Sequence, residues 1–113
     1  MKEFLFVFRA DYKTMPQASP EQMQANTQRW MNWVAGIAAQ GKLVDRGNRL
    51  MSTGNVLKSD GIISDGPYTE IKESILGYTL VKAASLEEAT ALAKDCPILS
   101  FGGNVEIREI NAL

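Results

Sequence analysis

At 113 residues, with 45% apolar and 22% charged side chains, the chain is long enough to bury one core and too short for two, so a single domain over residues 1–113 is expected. Twelve Lys and Arg against thirteen Asp and Glu leave a net charge of −1, which supplies no basic field for a phosphate backbone and excludes electrostatically driven nucleic-acid binding. With no histidine and a single cysteine, Cys96, the chain has no route to an intramolecular disulfide, a four-ligand zinc site, a His-ligated metal or a His-based triad.

In chain order, residues 2 to 9 alternate Phe4, Phe6 and Phe8 with Leu5 and Val7, a pattern that predicts a central strand apolar on both faces. This longest apolar run falls far short of the roughly 20 residues of a membrane helix, and no charged-then-apolar leader precedes it. A soluble, cytoplasmic protein without a membrane partner is expected. Residues 10 to 19 read as a loop. Ser19-Pro20-Glu21-Gln22 then combines a Ser N-cap, Pro in the first helical position and Gln three residues on, the start of a helix that Gly41 stops about 20 residues later. Its apolar stripe is read as Met23, Thr27, Trp30, Val34 and Ile37, with Gln22, Asn26, Arg29, Trp33 and Gln40 along one flank.

Strand-like stretches around Leu50-Met51 and Asn55 to Leu57, followed by Ser59-Asp60-Gly61 and Ile62-Ile63, predict a hairpin. Asp65-Gly66-Pro67-Tyr68 interrupts the pattern as a turn, and Ile75 to Val81 forms a second strand apolar on both faces. Ser85-Leu86-Glu87-Glu88 opens a second helix whose buried stripe is Ala89, Leu92, Ala93 and Cys96 and which Pro97 ends. After Gly102-Gly103 the last strand sets Val105 and Ile107 on one face, Glu106 and Arg108 on the other. The order is the split βαβ arrangement of a ferredoxin-like α+β sandwich with an added hairpin. Two helices cover one face of such a sheet, so the second apolar face calls for a homodimer meeting sheet to sheet.

Asp65-Gly66-Pro67-Tyr68, Glu70, Lys72-Glu73, Gly77-Tyr78, Cys96-Pro97 and Gly102-Gly103-x-Val105-Glu106-Ile107-Arg108 occur in an order that closely resembles the DGPF branch of the YCII-related family, essentially end to end. The resemblance implies a ferredoxin-like fold, dimers forming an α/β-barrel-like assembly, and an enzymatic or binding role. The other YCII branch is built around a His-Asp pair, which a chain without histidine does not share. Some relatives stand beside or are fused to sigma factors, which keeps a regulatory role open.

Among the residues that carry chemistry, Asp65 either caps its own turn or faces a cleft as general acid/base, a role that needs an apolar lining to desolvate the carboxylate. Glu70 and Lys72 share a face of an extended segment and reach a ligand together with Asp65, while Tyr68 and Tyr78 serve as pocket wall or hydroxyl donors. Arg49 or Lys72 anchors an anion; Arg29 and Trp33 either line a pocket at the helix–sheet seam, or Trp33 sits partly buried at the helix edge with Arg29 stacked on it at i, i+4 spacing. Cys96, on a buried stripe, is an inert small hydrophobe. The sequence therefore predicts a homodimer with a small-molecule pocket near residues 65–72, no metal and no cofactor. It is read either as an acid/base enzyme or as a non-catalytic ligand-sensing or partner-binding module. Buried carboxylates in a closed pocket favour the first, an exposed loop with an open apolar patch the second.

Overall fold

A computed structural model describes residues 1–11, 18–66 and 74–112. The elements are β1 (Lys2–Arg9), α1 (Pro20–Ala39), β2 (Leu43–Asp45), β3 (Gly54–Leu57), β4 (Ile63–Gly66), β5 (Ile75–Ala83), α2 (Leu86–Ala93), a 3₁₀ turn (Pro97–Phe101) and β6 (Asn104–Glu109). Four strands pair antiparallel in the order β2-β5-β1-β6, and β3 pairs with β4 in a separate two-stranded hairpin. This is the α+β, ferredoxin-like arrangement, with both helices on one face of the sheet and β1 and β5 at its centre. No helix among the described residues is long and apolar enough to cross a membrane.

The alternation in β1 decides what the sheet buries. Phe4, Phe6 and Phe8 stand opposite Val81, Thr79 and Gly77 of β5, and Phe6 and Phe8 stand opposite Ile107 and Val105 of β6. All three phenylalanines are buried against Trp33 and Ile37 of α1 and Ala89 and Ala93 of α2. Removing each such ring from water contributes roughly 1.5–3 kcal/mol. Thr79, a polar residue in this layer, is satisfied because its hydroxyl donates to the Arg46 carbonyl at 2.8 Å. By the same register Leu5 lies opposite Leu80 and Arg108, and Val7 opposite Tyr78 and Glu106, on the face away from the helices. Both strands are thus apolar on both sides, as their sequences indicate, and Leu5 rather than Phe6 points away from the helices.

Two local expectations are corrected. The buried residues of α1 are Trp33 (9% exposed) and Ile37, whereas Met23 is 58% exposed, so the stripe turns about Trp33 and runs only through the C-terminal half of the helix. The cause is the layer beneath: the rings of Phe6 and Phe8 meet Trp30 and Trp33, in the C-terminal half of the helix. Leu50-Met51 form no strand; a lone bridge joins Arg49 to Gly77, and the strand the sequence did not announce is Leu43–Asp45. Asp65 and Gly66 close β4, opposite Asn55 and Gly54, and the rest of the expected turn, Pro67-Tyr68, lies outside the described residues. The turn at Asp60 does match: its carboxylate accepts from the Ile62 amide at 2.9 Å.

Candidate functional site

A groove of about 610 Å³ runs between α1 and α2 on the helical side of the molecule. Two local signals set its walls. Helix α1 starts where Ser19 Oγ accepts from the Gln22 amide at 3.2 Å and the Gln22 side chain accepts from the Ser19 amide at 2.9 Å, with Pro20 preset for the first turn. Helix α2 starts where Ser85 Oγ accepts from the Glu88 amide at 3.2 Å. Trp33 lies at the floor and ties the two helices together, its Nε1 donating to the Leu92 carbonyl at 2.9 Å. Ring contacts with Phe6, Phe8 and Trp30 hold it from below.

Ile37, Leu92 and Pro97 complete an apolar lining, and Arg29, Asn32, Gln40 and Asp95 add polar groups. Arg29 does not stack on Trp33. Its guanidinium sits 5.8 Å from the Phe101 ring centroid and donates to Ser100 Oγ at 3.4 Å, because the 3₁₀ turn brings that aromatic within reach. Lys42 and Glu88 form a 2.7 Å ion pair on the groove wall, and the hydrogen bond from Lys42 holds the Glu88 carboxyl below the usual carboxylate range. Nothing local in the sequence relates Lys42 to Glu88, or Trp33 to Leu92; β2 and α2 bring these pairs together.

Arg49 and Tyr78 occupy a second place. The Arg49–Gly77 bridge and the Tyr78 amide donating to the Asn48 carbonyl at 3.2 Å set Arg49 beside the N-terminal half of β5. Gly47, at φ +69°, packs so closely on Tyr78 that a β-carbon there would lie 1.8 Å from its carbonyl oxygen. Asp65 occupies a third place, exposed on the hairpin, and among the described residues its carboxylate has no hydrogen-bond or ion-pair partner. Tyr68, Glu70 and Lys72 lie outside the described residues. Of the residues singled out from sequence, the structure therefore gathers Arg29 and Trp33 in the groove, sets Arg49 next to Tyr78, and keeps Asp65 apart from both. Cys96 is buried behind the groove, and burial pushes its thiol up to about 11.

The family model for the YCII-related domain matches residues 5–112, from within β1 to beyond the end of β6. The chain belongs to the YCII-related family. An uncharacterized protein of Rhizobium meliloti (strain 1021) is 50% identical over 34 residues, 30% of this chain, and that match spans 27% of the relative's length. Among solved structures, 5-chloro-2-hydroxyhydroquinone dehydrochlorinase from Burkholderia phenoliruptrix AC1100, in complex with 2,5-dihydroxybenzoquinone, superposes with a TM-score of 0.48 at 13% identity, over 98% of this chain and 95% of that one.

Proposed function

We propose that this YCII-related protein is of the DGPF type, acts as a homodimer through the uncovered sheet face, and binds a small organic anion in the groove between α1 and α2. The observation that carries the reading is the groove itself. Its volume lies within the range of small-molecule sites, and an apolar floor built on Trp33 sits beside a guanidinium, Arg29, and two amide side chains. Such a lining suits an apolar body carrying a negative group. Among the described residues Asp65 is exposed and has no apolar surroundings of the kind that turn a carboxylate into an effective base, so the ligand-binding role is preferred to acid/base catalysis. A second reading, an acid/base site near residues 65–72 formed by Asp65, Tyr68, Glu70 and Lys72, is supported by the bridge that joins Arg49 to Gly77, the neighbour of Tyr78 on the strand that follows.

Titration with anilinonaphthalenesulfonate, an apolar anion, followed by tryptophan quenching, separates the two. A β-carbon at Gly36 would meet nothing within 4 Å, so Gly36→Leu fills the groove without straining the fold. Gly36→Leu is expected to abolish saturable quenching and Arg29→Ala to weaken it about tenfold, the loss of one charged contact. Unchanged quenching in both variants, with loss in Arg49→Ala, would overturn the groove in favour of the second site.

A further inference from the structure

We propose that the β3–β4 hairpin is an arm that lies on the open sheet face of a second copy, so that Asp65 belongs to its partner's surface rather than to its own. This rests on the homodimer reading above and names the segment that makes the contact.

The arm is built to be covered. A two-stranded hairpin is marginal in water by itself, and β3 and β4 pair with each other while packing little on the rest of the described chain. Its register sets Leu57 opposite Ile63 and Asn55 opposite Asp65, so these four side chains share one face. On that face Leu57 is 71% and Ile63 63% exposed, and Ile62 and Met51 nearby are also exposed. The same chain holds a second apolar surface that its helices do not cover: on the far side of the sheet Leu5, Tyr78 and Leu80 are half-buried around Val7, which is 8% exposed. Two unlike apolar surfaces on one molecule are both buried when two copies exchange arms about a two-fold axis.

Charge fits the same pairing. On the arm, an apolar rung (Leu57–Ile63) is followed by a rung that ends in an anion (Asn55–Asp65). On the sheet, the apolar rung Leu5–Leu80 continues across the strand to a cation, Arg108, which is largely exposed and lies 3.3 Å from Glu106 Oε2. Seating the partner's Leu57 and Ile63 on Leu5 and Leu80 brings the partner's Asp65 toward Arg108. The arm's exposure and the acidic residue that the sequence singled out then have one explanation.

The test is disulfide trapping between separately tagged copies, one carrying Ile63→Cys and the other Leu5→Cys, with Cys96, which is buried, replaced by Ala in both. Mixing and mild oxidation should give a covalent heterodimer that neither variant forms alone. Leu57→Glu should raise the dimer dissociation constant at least tenfold with the far-ultraviolet dichroism and melting of the monomer unchanged, because the arm supports no part of the core. A dimer by light scattering that yields no mixed disulfide, or that Leu57→Glu leaves intact, would overturn the arm exchange and leave the homodimer standing. A chain that stays monomeric at tens of micromolar would overturn both.

Discussion

Replacing Gly47 by Ala tests the close approach that holds the Asp45–Arg49 segment on the sheet. The segment is stitched to β5 by the Thr79 hydroxyl on the Arg46 carbonyl and by the Tyr78 amide on the Asn48 carbonyl, and is held in shape by its own Asp45 carboxylate accepting from the Gly47 amide at 2.8 Å. A methyl at Gly47 would lie 1.8 Å from the Tyr78 carbonyl oxygen and 2.6 Å from its carbonyl carbon, both backbone atoms of a central strand. Neither yields without moving β5. Gly41 supplies the control, since it has nearly the same φ, +70° against +69°, but a β-carbon there meets nothing within 4 Å. Gly41→Ala should therefore pay only for the left-handed backbone, about 1–2 kcal/mol, a fall of roughly 5–10 °C in melting temperature for a domain of this size. Gly47→Ala bears that cost plus the displacement of a strand, more than about 3 kcal/mol in total, a large part of the stability of a typical small domain. Urea denaturation of the two variants beside the parent measures both. Equal losses in the two would refute the close approach of this segment to Tyr78.

Cys96 should make stability fall in alkali: its thiol ionises near 11 in the fold against about 9 when unfolded, so the unfolded chain releases its proton first. Between those values stability drops by at most about 1.4 kcal/mol per pH unit; the effect is absent below pH 9, and a parent and Cys96→Ala with parallel pH profiles would refute it. Trp33→Phe removes the donor to the Leu92 carbonyl and should cost about 1–3 kcal/mol in a thermal melt, with Trp30→Phe, which loses no hydrogen bond to α2, costing less.

Much of the fold was legible because its determinants are local or periodic. The Ser19 and Ser85 caps and the Asp60 turn depend on residues within a few positions of one another, and the alternation of Phe4, Phe6 and Phe8 states which strand is central, whereas α2 ends at Ala93, short of Pro97, which opens the 3₁₀ turn instead. Strand β2 escaped because three residues, Leu43–Asp45, are too few to show a period. The stripe of α1 was misplaced because periodicity gives the angle of a buried face but not how far along the helix a partner lies beneath it; the rings of Phe6 and Phe8 decide that.

The site divides in the same way. Composition alone removes histidine chemistry, and the motif between residues 65 and 108 carries the family, because both are properties of the chain as written. The groove belongs to the tertiary structure. Trp33 meets Leu92, Lys42 meets Glu88 and Arg29 meets Phe101 only after the sheet has set two helices and a 3₁₀ turn side by side. These contacts join residues with no relation in sequence, and their free energy comes from burying surfaces that exist only once the chain has folded.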